Sequence, residues 1–151
     1  MIYLSSDHGG FDLRTVIVSQ LQKIGAKFMD LGPTVYNAED DYPDYAAKVS
    51  EKVSANPEDD LGILICRSGQ GMSIVANKFS QVRAAVVWNN EQAKMSRLDD
   101  MVNVLCLPSD YINQEIAQTI VKTWLDTNYS QEPRHIRRVQ KISAIESKNF
   151  V

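Results

Sequence analysis

Short apolar runs alternate along the chain with longer stretches in which apolar residues recur every three or four positions. Residues 3–6, 27–31, 61–66, 83–88 and 103–107 are each of strand length and mostly apolar, the pattern of strands covered on both faces. Between them Leu13, Val16, Ile17, Leu21 and Ile24 mark one helical stripe, and Tyr45, Val49 and Val53 another. A short helix over 73–78 follows the third strand. A longer one over 111–128 carries Ile112, Ile116, Ile120 and Leu125, and a last helix starts near Pro133, a residue tolerated in a first turn. Gly25, Gly32-Pro33 and the polar stretch 56–60 punctuate these elements. Strand, helix and strand in alternation predict an α/β fold: a Rossmann-like three-layer α/β/α sandwich around a five-stranded parallel sheet with right-handed crossovers. No linker, repeat or biased tract divides the chain, so residues 1–151 are read as one domain.

Composition narrows what such a domain does. A formal net charge of −3 gives no general attraction to nucleic acid or to an anionic membrane surface. Two cysteines and two histidines exclude a disulfide framework and a Cys/His zinc site. No basic and apolar leader is visible before Asp7-His8, and no apolar run approaches the roughly 20 residues that span a bilayer, so a cytoplasmic location is expected.

In parallel α/β sheets ligands bind beyond the carboxyl ends of the strands, which directs attention to two segments. Asp7-His8-Gly9-Gly10 follows the first strand and sets a carboxylate beside an imidazole. Cys66-Arg67-Ser68-Gly69-Gln70-Gly71-Met72 follows the third. That second loop lacks the third glycine of a dinucleotide fingerprint and the Gly-Lys-Ser/Thr of a P-loop. Two readings stay open for it: a tight strand-to-helix turn, or a nest of N–H groups suited to a phosphate or enediolate oxygen. Cys106, in an apolar run, reads as a buried structural thiol. Cys66 reads as the chemically active one, its thiolate stabilised by the following helix start and by Arg67. Arg134, Arg138 and Lys141 lie on a different face of the last helix from Ile136, Val139, Ile142 and Ile145. The apolar side fits a neighbouring subunit or the chain's own sheet, and the basic side fits a small-molecule phosphate better than nucleic acid.

These segments, together with Ala76-Asn77-Lys78, Arg83-Ala84-Ala85, Asn103-Val104-Leu105, Asp41-Tyr42-Pro43 and Arg134-His135-Ile136-Arg137-Arg138, resemble in chain order the type B ribose-5-phosphate isomerases and their galactose-6-phosphate isomerase relatives. The resemblance implies aldose–ketose isomerisation of a phosphorylated sugar, ribose 5-phosphate by default and a six-carbon allose or galactose 6-phosphate as the alternative. It implies no metal or organic cofactor, and a homodimer or homotetramer whose last helix reaches a partner. Cys66 is then the proton-transfer base, with Ser68 and the N–H groups of Gly69, Gln70 and Gly71 as the anion hole. Asp7, His8 and Tyr42 line the sugar pocket, Asn77 lies at its edge, Asn103 is a further substrate-binding residue, and Arg134, His135 and Arg138 attend the phosphate.

Three positions depart from that pattern. Asp99 stands where the family keeps a ring-opening histidine, Asp110 where it keeps a phosphate-side arginine, and Arg67 where it keeps glycine. Three expectations follow: that Asp99 takes over ring opening, that Arg67 pairs with Asp99 across the site or replaces the cation lost at Asp110, or that the chain is a catalytically impaired subunit that binds sugar phosphate.

Overall fold

The computed structural model describes residues 1–150. Its elements are β1 (Ile2–Ser6), α1 (Phe11–Lys23), β2 (Phe28–Asp30), α2 (Tyr42–Ala55), β3 (Leu61–Cys66), α3 (Gln70–Ala76), β4 (Ala84–Val86), α4 (Asn90–Asp100), β5 (Val104–Pro108), α5 (Gln114–Asp126) and α6 (Pro133–Asn149). All strand pairs are parallel, in the order β2-β1-β3-β5-β4. The order reverses between β1 and β3, and a crevice opens where the chain leaves those two strands in opposite directions.

Alternation along the central strands sends side chains to two cores. Leu4, Ile63, Ile65, Leu105 and Leu107 pack beneath Leu13, Ile17 and Leu21 of α1 and Ile120, Val121 and Trp124 of α5. On the other face Leu64, Cys66, Val104 and Cys106 meet Val49 and Val53 of α2 and Met72 and Ala76 of α3. Gly62 lets α2 approach β3, since a Cβ there would lie 2.8 Å from Val49 Cγ1.

The five expected strands are present, but the outer two are shorter than the apolar pattern suggests. β2 covers 28–30 and β4 covers 84–86, because each edge strand has one paired neighbour and loses register where the sheet twists away. α4 was hidden from the periodicity, since only Ala93 and Ser96 on it are buried; Asn89 caps it by accepting the Gln92 N–H at 2.9 Å.

No helix among the described residues is long and apolar enough to cross a membrane. α6 packs inward through His135 and Val139 and leaves Ile142 and Ile145 exposed, so the stripe read from the sequence is only half covered within this chain.

Candidate active site

The carboxyl ends of β1 and β3 carry the densest polar chemistry. After Ser6 the chain turns through a 3-10 turn, His8–Gly10, capped by Asp7, whose Oδ1 accepts the Gly10 N–H at 3.1 Å. Gly10 is required there because a Cβ would lie 2.4 Å from the Ile65 carbonyl oxygen, and one on Gly9 would meet Arg67 Cγ at 2.5 Å. Ser109, just past β5, ties the strand ends together: its hydroxyl lies 2.8 Å from the Gly9 carbonyl and 3.1 Å from that of Cys66. The sequence held no signal for that role beyond the position of Ser109 after a strand.

Cys66, the last residue of β3, is 5% exposed. The chain then reverses through Gly69, whose φ of +74° favours glycine. The Gly69 N–H donates to Cys66 Sγ at 3.2 Å, and the Gln70 N–H reaches Ser68 Oγ at 3.4 Å. Tyr42, the first residue of α2, lies against Gly71, where a Cβ would come within 2.6 Å of the Tyr42 ring. An open cleft of about 490 Å³ flanks this loop, lined by Ser68, Gln70, Val86, Trp88, Pro108 and Tyr111.

His8 Nδ1 lies 2.7 Å from Asp40 Oδ1, and the His8 N–H donates to the same oxygen at 3.0 Å. Asp40 sits at the end of the loop that joins β2 to α2. That loop is fastened by buried Arg14, which pairs with Asp30 at 3.3 Å and donates to the Pro33 carbonyl. Sequence reasoning missed Asp40, because a carboxylate within Glu39-Asp40-Asp41 is indistinguishable from a solvated turn until the loop is seen folded back.

Burial dominates the electrostatics. It pushes the Cys66 thiol above its ordinary value, and the nearby Asp7 charge adds to this; N–H groups of Met72, Gly69 and Ser68 oppose it without winning. The expected low-pKa thiol is therefore corrected. The strand end is desolvated, and Arg67 turns its guanidinium outward to Asp110, 3.7 Å away, with both side chains about half exposed or more. Burial likewise raises Asp7, against the Gly10 N–H and His8. Asp7, His8 and Asp40 form the group among the described residues whose ligand atoms come within 4.8 Å of one another. Asp7 Oδ1 and His8 Nδ1 are already engaged by Gly10 and Asp40.

The remaining expected site residues lie at the opposite edge of the sheet. Asn77 bridges α3 to β4, donating to the Ala84 carbonyl and accepting the Ala84 N–H, both at 2.9 Å. Asn103 is buried before β5, accepting the Arg83 N–H at 2.8 Å and donating to the Gln81 carbonyl at 2.9 Å. Both amides are spent on holding the fold. Asp99, at the end of α4, faces buried His135 of α6 at 3.5 Å, and Arg134 and Arg138 leave the same turn of that helix exposed. The pairing of Arg67 with Asp99 is thus overturned: the two side chains lie at opposite edges and face Asp110 and His135. At about 3.3 Å per residue, central strands of five and six residues hold those edges roughly 16–20 Å apart. One chain brings together Asp7, His8, Tyr42, Cys66, Arg67, Ser68, Gly69, Gln70 and Gly71, and places Asn77, Asp99, Asn103, Arg134, His135 and Arg138 elsewhere.

A buried thiol under a glycine loop, with a carboxylate and an oriented imidazole across the crevice, is an arrangement for moving a proton on a small polar molecule. The chain belongs to the Ribose/Galactose Isomerase family, whose model matches residues 2–142. It is 42% identical over 147 residues to ribose-5-phosphate isomerase B of Escherichia coli, covering 97% of each chain. It is 41% identical over 141 residues to a probable ribose-5-phosphate isomerase B of Mycoplasma genitalium, covering 93% of this chain and 92% of that protein. The crystal structure of the Mycoplasma genitalium ribose-5-phosphate isomerase B with bound ribulose-5-phosphate superposes with a TM-score of 0.94 at 40% identity, over 97% of this chain and 96% of the other.

Proposed function

We propose that the chain interconverts ribose 5-phosphate and ribulose 5-phosphate, with Cys66 as the base that carries the proton between C2 and C1. The observation that carries the reading is the placement of Cys66 Sγ beneath the 66–71 loop at the crevice, beside Asp7. Near-full-length similarity to proteins named for this reaction supports it. The thiolate takes the C2 proton of the open-chain aldose, and the C1 oxygen gathers the enediolate charge. The N–H groups of the loop and the Ser68 hydroxyl are assigned to stabilise that charge. A proton then passes from the C2 hydroxyl to the C1 oxygen, moving the charge to O2, and as the thiol returns its proton to C1 the C2–O2 bond becomes the ketose carbonyl.

Phosphate recognition is assigned to Arg134 and Arg138 of a second copy of the chain. Their distance from Cys66 within one chain, and the half-covered stripe of α6, support a homodimer or a homotetramer built from such pairs. A phosphorylated sugar does not cross a bilayer unaided, which puts the reaction in the cytoplasm.

Cys66→Ala is expected to abolish deuterium uptake from solvent at C1 of ribulose 5-phosphate, followed by NMR. Unchanged uptake would remove the base assignment. Faster turnover of a six-carbon 6-phosphate than of ribose 5-phosphate by the unaltered chain would move the substrate to the family's galactose side.

A further inference from the structure

Ribose 5-phosphate is a closed furanose in solution, so a base that acts at C2 needs the ring opened first. The step is a proton relay. The O1 hydroxyl gives up its proton, C1 and O1 form a carbonyl, the bond from C1 to the ring oxygen breaks, and that oxygen takes a proton. It calls for a group that both accepts and donates near neutral pH, which is the natural range of an imidazole.

The chain has two histidines. His135 is 4% exposed on α6, buried against Asp99, with little surface left for a substrate. His8 stands at the carboxyl edge, next to Asp7, with 22% of its side chain exposed. Its Nδ1 is held by Asp40, whose side chain is 5% exposed and whose other oxygen, Oδ2, is buried without a hydrogen-bond partner. The same Asp40 oxygen takes the His8 backbone N–H, so the carboxylate grips ring and backbone together. Tyr36 closes edge-on against the ring, with centroids 6.4 Å apart at 87°. A carboxylate on Nδ1 fixes that nitrogen as the protonated one and leaves Nε2 free as the acceptor.

We infer that His8 Nε2 is the ring-opening group of this chain, taking the O1 proton and passing it to the ring oxygen, and that Asp40 is its positioning residue. The inference rests on the isomerase reading above and adds the group responsible for a separate step. Asp99 is then not required as a shuttle.

Ribulose 5-phosphate separates the two steps. Its C5 oxygen carries the phosphate, so it cannot close a furanose ring, and hydrogen exchange at its C1 tests the base without ring opening. Asp40→Asn is expected to lower kcat for ribose 5-phosphate by about 10- to 100-fold, while C1 deuterium exchange on ribulose 5-phosphate falls far less, by roughly threefold at most on the scale of a mere packing change. Asp40→Glu should recover part of the lost turnover. Adding His8→Asn to Asp40→Asn should cost less than the product of the two single losses, since both act in one step. Equal losses of turnover and exchange, no loss of either, or single effects that multiply would overturn the assignment. Failure of the isomerase reading looks different: the unaltered chain would then catalyse no exchange at all.

Discussion

Cys66 accepts an N–H at its sulfur and still carries a raised pKa, because leaving water disfavours the thiolate more than one loop can offset. Thiolate-dependent catalysis should therefore climb through the alkaline range and be weak on the acid side. Asp7 contributes to the upward shift, so in Asp7→Asn the alkaline limb of the kcat/KM profile is expected to move to lower pH, whatever that variant does to the plateau. The same substitution should show in stability. Asp7 is itself raised by burial, so the fold prefers its neutral form. Relative to the unfolded chain that preference is fully expressed below about pH 4 and is lost as pH rises through the folded pKa. Asp7→Asn should raise the urea midpoint at pH 7 and leave it nearly unchanged at pH 3. An equal rise at both pH values would show that burial of this charge is not the cause.

At the scale of elements, the turn between β1 and α1 depends on a backbone approach that only glycine permits. Gly10→Ala would drive a methyl group into the Ile65 carbonyl and should cost about 1–3 kcal/mol or more, read as a drop in Tm together with lost activity. The central elements were legible in the sequence because their burial writes itself as periodicity: 61–66 and 103–107 are apolar throughout and lie between two helical layers. α4 was not legible, since a helix that buries one alanine and one serine has no stripe to read. The candidate site divided along the same line. Asp7, His8 and Cys66 were marked by their place after strands, whereas Asp40 acts through a long loop whose return to His8 no local pattern encodes. Asn77 and Asn103 illustrate the opposite case: polar residues flanking a strand look alike whether they face a ligand or fasten the backbone, and within one chain both side chains hydrogen-bond backbone.

For the whole molecule, parallel strands make the two edges chemically different, and this chain has its catalytic-candidate thiol at one and Arg134 and Arg138 at the other. On the proposed site, built by two copies, Cys66→Ala and Arg138→Ala should each be inactive alone. Mixed in equal amounts and allowed to exchange subunits, they should recover activity in about a quarter of the sites of a twofold pair, measured as turnover after mixing. No recovery would place both functions within one chain. The arginine edge also bears the exposed Ile142 and Ile145 beside a cleft of about 450 Å³. A site split between copies, as proposed, makes rate per chain a function of concentration: dilution far enough should silence the enzyme without unfolding it, and the dilution at which half the activity remains would report how tightly the copies hold each other.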